Sequence, residues 1–128
     1  MCRFAVKAFL VLSVLIAVVG CRTAPIYNVT NQSIGAAGGK AKSLQEVKTA
    51  IVDAGRARGW TVKDIAPGHL EAELRVRDHA AVVDIKYSTT SYSITYKDSK
   101  DLHYDGTKIH PNYNGWIQNL QRDIEKRL

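Results

Sequence analysis

Apolar residues recur at helical spacing in the middle of the chain, directly after Ser43. The stripe contains Leu44, Val47, Ala50, Ile51 and Ala54. Ser43 and Glu46 have the spacing of a capping box, in which each side chain accepts a hydrogen bond from a free backbone N–H at the helix start. Gly59 follows the stripe, where a left-handed residue commonly ends a helix. The pattern predicts a helix over residues 44–58.

Four stretches after this helix alternate between apolar and polar positions with a period of two, which is typical of strands with one wet face. In chain order they are residues 60–65, 70–76, 81–87 and 92–97. The connections between them contain only a few residues, whereas parallel pairing needs a crossover of about a dozen or more. The pattern therefore predicts an antiparallel meander.

A second helical stripe lies near the C-terminus, after a polar segment over residues 98–111. It contains Tyr113, Trp116, Ile117, Leu120 and Ile124. The element order α-β-β-β-β-α predicts a compact α+β domain over residues 43–128. In this domain a four-stranded antiparallel meander sheet carries both helices packed on one face.

The first twenty residues have the pattern of a secretory signal. Arg3 and Lys7 form a basic start, and residues 8–19 are apolar apart from Ser13. A helix that spans a bilayer needs about 20 apolar residues, so this run is too short and fits a signal that is removed after export. We predict a lipoprotein signal peptide over residues 1–20, with cleavage between Gly20 and Cys21.

The junction Val18-Val19-Gly20-Cys21 resembles the lipobox of bacterial lipoproteins. The resemblance implies that the Cys21 sulfur carries a diacylglyceryl group, with a further acyl chain such as palmitate on the new N-terminus. Two or three chains hold a protein on a membrane, whereas one myristoyl chain binds only marginally. Arg22 follows the cysteine. In lipoproteins of the enteric type, an Asp at this position tends to retain the protein at the inner membrane. Its absence here implies the outer membrane, facing the periplasm.

Residues 21–42 are rich in Gly, Ala, Thr, Asn and Ser, a composition typical of a flexible linker. A free linker of this length has an end-to-end distance of roughly 25 Å. We therefore predict that the lipidated Cys21 is followed by a tether that lets the domain stand clear of the head groups. Residues 25–29 are the more apolar part, able to dock on the domain as an extra edge strand.

The charge pattern and the positions of the cysteines limit which partners and which kinds of site the protein can have. The formal net charge of +6 falls to +4 when Arg3 and Lys7 leave with the signal. The chain has no run of five basic residues, so it lacks the pattern of a nucleic-acid-binding protein. The two cysteines are Cys2, within the signal, and Cys21. The predicted domain therefore has no thiol for a disulfide, a nucleophile or a metal site.

Further motifs lie mostly in the C-terminal half. They are Gly59-Trp60, Arg77-Asp78-His79-Ala80, residues 92–96, Asp98-Ser99 with Leu102 and Tyr104, and Ile109-His110 followed by Tyr113-Asn114 and Trp116-Ile117. Together with the lipobox, they resemble a family of small bacterial lipoproteins to which no activity is assigned. The resemblance implies location and fold, and it implies no chemistry.

Candidate catalytic groups are sparse. No serine lies in a Gly-x-Ser-x-Gly elbow. Glu71 and Glu73 could form a carboxylate pair for glycoside cleavage, but they share a wet strand face with Arg75 and Arg77. Cross-strand ion pairing explains them better. We predict no enzyme activity and no cofactor.

The histidines leave an alternative function open. His103 and His110, with Asp101 and Asp105, offer imidazole and carboxylate groups of the kind that bind zinc or copper. They lack a tight spacing such as i and i+4 on a helix, so we predict no metal site. Metal handling or hydrolysis with His103 and His110 is kept as the alternative.

The main prediction is a lipid-anchored, periplasm-facing binding or scaffold module. Its expected partners are the membrane, through Cys21, and either another envelope protein or the cell wall. Aromatic side chains bind sugars and peptides by stacking, although most aromatic positions here have the spacing of core residues. We predict His103, Tyr104, His110 and Asn114 at a partner or ligand surface.

Overall fold

The computed structural model describes residues 22–36 and 39–128. The predicted signal peptide, the cleavage junction after Gly20 and the lipidation site at Cys21 lie outside the described residues. In chain order the elements are β1 Ala24–Pro25, β2 Val29–Ser33, α1 Leu44–Ala57, β3 Thr61–Ala66, β4 His69–Val76, β5 His79–Tyr87, β6 Ser91–Lys100, β7 Lys108–Ile109 and α2 Pro111–Arg127.

The predicted first helix is confirmed, including its capping box. The Ser43 hydroxyl accepts a hydrogen bond from the Glu46 N–H (3.1 Å), and the Glu46 carboxylate accepts one from the Ser43 N–H (2.8 Å). The backbone hydrogen bond from Ser43 holds the pKa of Glu46 below its usual value. Gly59 follows the Arg58 C-cap with a φ of +90°. This left-handed conformation ends the helix and would strain a residue with a side chain.

The sheet has five antiparallel strands in the order β2-β6-β5-β4-β3. The α+β class and the antiparallel meander from β3 to β6 are confirmed. The prediction of four strands is wrong by one, because β2 pairs with the outer side of β6 and places Val29 opposite Ile94. A separate two-stranded sheet joins β1 to β7, with Ala24 opposite Ile109.

About half of the predicted tether is docked on the domain. Beyond β1 and β2, the Ile34 N–H donates to the Thr90 carbonyl at 2.8 Å. The prediction of a flexible linker is therefore wrong for residues 24–34, and the docking considered for residues 25–29 is observed and extends further. β2 has the sequence Val-Thr-Asn-Gln-Ser, which does not alternate. Its strand conformation comes from pairing with an edge of β6 that would otherwise be unpaired.

Both helices pack on one face of the five-stranded sheet, and one continuous core lies between the two layers. α2 buries four residues of the predicted stripe, and Trp116 is half-buried at its side. The opposite face of the sheet carries mainly polar side chains and is open to solvent. No helix in the described part of the chain is both long and apolar enough to cross a bilayer.

Candidate functional site

α2 begins where proline and histidine together define a helix start. Pro111 occupies the first helical turn, where a missing N–H costs nothing. The His110 Nδ1 accepts a hydrogen bond from the Asn112 N–H at 3.1 Å. This nitrogen is therefore unprotonated, and His110 acts as the N-cap of α2. The predicted site residue His110 has a structural role at this helix start.

Asn114, one turn into α2, holds the N-terminal segment against the domain. Its Oδ1 accepts a hydrogen bond from the Tyr27 N–H, and its Nδ2 donates one to the Pro25 carbonyl, both at 2.9 Å. The Ile26 N–H, between them, donates to the Thr107 carbonyl at 3.0 Å. Three consecutive residues that follow closely on the predicted lipidation site are thus fixed by hydrogen bonds.

His110 lies beside His79, with ring centroids 5.9 Å apart. The Nδ1 of His79 donates to the Asp101 carbonyl at 2.7 Å, because a carbonyl oxygen only accepts. His103 is exposed, with a φ of +54°. Within residues 22–36 and 39–128, no three His, Cys, Asp or Glu side chains are grouped to hold a metal ion. Metal handling or hydrolysis with His103 and His110 stays the untested alternative.

Tyr104 covers a stack of tyrosine rings. Its ring lies 4.1 Å from that of Tyr96, which in turn meets Tyr113 edge-on at 5.8 Å. The Tyr104 hydroxyl donates to the Gly106 carbonyl (3.1 Å), and the side chain is 37% exposed. Burial raises the pKa of Tyr113, whose hydroxyl has no hydrogen-bond partner among the described residues. Tyr104 is therefore the exposed member of an aromatic cluster in which Tyr96 is half-buried and Tyr113 is buried.

A groove lies elsewhere, between α1 and the edge strand β3, and none of the four predicted site residues lines it. Its volume is about 320 Å³. The apolar lining consists of Val52, Val62 and Leu70, and the polar lining consists of Gln45, Lys48, Thr49, Asp53, Arg56 and Asp64. The groove continues past Lys48 into a second hollow bounded by Leu44, Pro67 and Tyr87.

Charged side chains face each other across this groove, and exposed apolar side chains lie beside it. The Lys48 ammonium donates to the Asp64 carboxylate across the groove, and this hydrogen bond raises the pKa of Lys48. Leu44, at the second hollow, is 37% exposed, and Ile65, on β3 but outside the lining of both hollows, is 49% exposed. Among the described strands, β3 pairs only with β4. Its outer edge therefore combines backbone N–H and C=O groups that no described strand pairs with and an exposed apolar side chain.

The open face of the sheet carries the predicted ion pairs. Glu71 accepts a hydrogen bond from Lys97 of β6 at 2.5 Å, and Glu73 pairs with Arg75 of its own strand at 2.8 Å. The hydrogen bond to Glu71 raises the pKa of Lys97. Cross-strand pairing is confirmed for Glu71, whereas Glu73 pairs along β4. The two carboxylates are thus held by separate cations.

Two features of the site were missed at the level of sequence. One is the docking role of Asn114, which depends on backbone groups almost 90 positions away and leaves no local pattern. The other is the β3 edge, for which a signal existed: the first strand of a meander is an edge unless another strand covers it. Lys48 and Asp64 join α1 to that strand, and neither belongs to a recognisable motif.

Comparisons with protein-family models, curated proteins and solved structures find no match to this chain. The resemblance to small bacterial lipoproteins stays a prediction. The functional proposal therefore depends on the junction at Cys21 and on the geometry of the β3 edge.

Proposed function

We propose that this protein is a lipid-anchored module of the bacterial outer membrane that faces the periplasm and binds a partner without catalysing a reaction. The proposal joins the predicted lipidation of Cys21 to the open edge of the sheet. The observation that carries the binding role is the outer side of β3, where backbone that no described strand pairs with lies beside a groove of about 320 Å³.

An extended segment of another envelope protein fits this edge by adding a strand to the sheet. In this mode of recognition, backbone hydrogen bonds supply affinity and pockets for alternate side chains supply specificity. Val52 and Val62 offer an apolar lining for such a side chain, with the fully buried Leu70 beneath them, and Ile65 adds an exposed apolar side chain on β3 outside the groove lining. A polypeptide is favoured over cell-wall glycan because only a polypeptide can pair with strand backbone.

The charges along β3 argue against indiscriminate pairing. Lys63 is exposed on the strand, and charged side chains on an edge, lysine especially, limit edge-to-edge aggregation. Lys48 and Asp64 already neutralise each other across the groove. The edge therefore favours a partner strand that places an apolar side chain in the groove and tolerates Lys63 on the opposite face.

Mass spectrometry of the native protein tests the anchor. We expect an N-terminal Cys21 that carries a diacylglyceryl group and an acyl chain, and a Cys21→Ser form that lacks this mass and leaves the membrane fraction. An intact Met1, or an unmodified thiol at Cys21, contradicts the proposal.

Photo-crosslinking in intact envelopes tests the binding edge. A crosslinking side chain at Lys63 should capture a defined protein, and the same side chain at Lys100, an exposed lysine at the distant end of β6, should not. Ile65→Asp should abolish the Lys63 product, while Val76→Asp, the same change at another exposed apolar residue, should leave it intact. Equal capture at Lys63 and Lys100, or a product that survives Ile65→Asp, contradicts binding at β3.

A further inference from the structure

The docked N-terminal segment brings the predicted lipid attachment site close to one end of the domain. Cys21 precedes Ala24 by three positions, and three residues span at most about 11 Å when fully extended. Ala24 is already paired with Ile109 of β7. The predicted linker of roughly 25 Å is thereby shortened to less than half of that length.

This end of the molecule, the anchor end, contains β1, β7, the start of α2, residues 101–107 and the turn between β4 and β5. Hydrogen bonds join these parts to each other. The His110 N–H donates to the Leu102 carbonyl at 2.8 Å, and His79 donates to the Asp101 carbonyl at 2.7 Å. The anchor end is therefore one connected surface.

The far end contains the β3–β4 turn, the β5–β6 turn and the start of α1. The Tyr87 N–H donates to the Gly68 carbonyl at 2.9 Å, and the Ile34 N–H donates to the Thr90 carbonyl at 2.8 Å. β6 runs from this end to the anchor end over ten residues. At about 3.3 Å per residue, the two ends lie on the order of 30 Å apart.

The exposed residues next to the attachment site suit a phospholipid surface. Arg22 and Lys108 are cationic, and Thr23 and Thr107 are polar and uncharged. The nearby Asp105 carboxylate already accepts hydrogen bonds from the backbone N–H groups of Thr107 and Lys108, at 2.9 and 2.7 Å. The two cations attract lipid phosphates, an attraction that salt weakens and that the exposed carboxylates of Asp78, Asp101 and Asp105 at the same end reduce.

We propose that the anchor end rests on the phospholipid head groups and that the far end points away from the membrane. This inference depends on the proposed lipidation of Cys21. In this orientation the domain is held with its long strands upright, because β1 ties it down immediately after the lipid. The second hollow of the groove, which lies at the far end beside Pro67 and Tyr87, then opens toward the periplasm.

Depth-dependent quenching on the full lipidated protein tests the orientation. The mature chain has no cysteine after Cys21, so one introduced cysteine takes a fluorescent label uniquely. Asn112→Cys probes the anchor end and Thr89→Cys probes the far end; both residues are exposed. The vesicles contain phosphatidylethanolamine, phosphatidylglycerol and a phospholipid with a nitroxide on its head group. We expect several-fold stronger quenching at position 112 than at position 89.

Equal quenching at the two positions, or stronger quenching at position 89, in protein that floats with the vesicles overturns the orientation and leaves the anchor standing. Protein that stays in the aqueous phase and carries no lipid mass overturns the anchor and the orientation together. The two failures are thus distinguishable.

A second variant tests whether docking of the N-terminal segment on the domain causes the proposed orientation. Asn114→Ala removes the hydrogen bonds to Tyr27 and Pro25, so the contrast between positions 112 and 89 should fall. Gln118→Ala, an exposed change on the same helix, should preserve the contrast. A contrast unchanged by Asn114→Ala, in protein confirmed as folded by circular dichroism, overturns the claim that the docked segment sets the orientation.

Discussion

The two edges of the five-stranded sheet differ in how readily a further strand can pair with them. β2 forms one edge, and its register with β6 shifts between Val29 and Gln32, where Asn31 has a φ of +49°. The Asn31 N–H donates to the Ser93 hydroxyl (2.9 Å) in place of a backbone carbonyl. A bulge of this kind bends an edge strand and discourages further pairing. The bulge in the middle of β2 therefore discourages pairing with a further strand, and we call this the closed edge.

β3 forms the other edge, and it is open. Its pairing with β4 is regular from Thr61 to Asp64 and shifts only before Ala66. Five of its six residues are exposed. The contrast teaches that the same N-terminal segment that carries the predicted anchor also closes one edge of the sheet. The opposite edge is left available for a partner.

The largest difference in stability between the edges should appear when an aspartate is introduced into each of them. Val29 on β2 is 3% exposed, and Ile65 on β3 is 49% exposed. Val29→Asp places an unpaired carboxylate in the core or forces β2 to detach, so we expect the free energy of unfolding to fall by about 3 kcal/mol or more. Ile65→Asp leaves its charge in water, and we expect a change within about 0.5 kcal/mol.

Urea denaturation of the mature chain with Cys21→Ser measures both effects on one background. If Val29→Asp and Ile65→Asp lower the free energy of unfolding by the same amount, the proposed difference between the two edges is wrong. A large loss for Ile65→Asp would also show that β3 is covered in solution, and it would weaken the crosslinking design that uses this variant.

The next effect concerns the attachment of the closed edge. Asn114→Ala removes two hydrogen bonds to the N-terminal segment, each contributing about 0.5–1.5 kcal/mol. We expect local opening of residues 24–28 to become easier by about 1–3 kcal/mol, which corresponds to amide exchange at Tyr27 that is about 5- to 150-fold faster. Hydrogen exchange followed by NMR measures it, with Gln118→Ala as the control. An unchanged Tyr27 rate contradicts the role of Asn114.

The parts of the fold with strict periodicity were predictable. α1 has a capping box, an apolar stripe and a terminal glycine, and the meander has alternating strands with short turns. β2 could not be found in the same way because only one of its five side chains is apolar. An alternating pattern can be recognised only from several apolar positions. Its place depends on Asn114 and on the free side of β6, both distant in sequence.

The candidate site was predictable only in part. Cys21 follows from a local pattern, and it lies outside the described residues. His110 and Asn114 were predicted at a partner or ligand surface, which stays a prediction; in the structure they cap a helix and hold a strand, roles that require the three-dimensional neighbours to be known. The groove beside β3 belongs to two elements that were both predicted, although their spatial relation was not.

A smaller effect concerns the helix that borders the open edge. Ser43→Ala removes the hydroxyl that caps α1 and should lower the free energy of unfolding by about 1 kcal/mol. Ser43→Asp keeps an acceptor at the cap and should restore most of this stability. Urea denaturation compares the three proteins. Because Leu44 begins α1 and borders the groove, equal stability of all three would mean that the helix start is held by packing instead of by the cap.

The smallest effect is a pH dependence at the turn before β7, the strand to which β1 is attached. Backbone hydrogen bonds, the one from Lys108 foremost, hold the pKa of Asp105 below its usual value. A depressed pKa in the folded state stabilises the fold above the unfolded-state pKa of about 3.9, and this contribution disappears as pH falls through the folded-state value.

Asp105→Asn lacks the ionised acceptor at every pH. We therefore expect the variant to be less stable than the wild type at pH 7 and the difference to shrink as the pH falls below about 4, where the wild-type carboxylate becomes protonated. Unfolding measured from pH 7 to pH 2, together with exchange of the Lys108 amide, tests this. The carboxylate is exposed, so the effect should be local to β7 and β1 and should leave the β3 edge unchanged. Stability curves that stay parallel at all pH values would mean that the turn is held by its backbone alone, and that the closed edge does not depend on this charge.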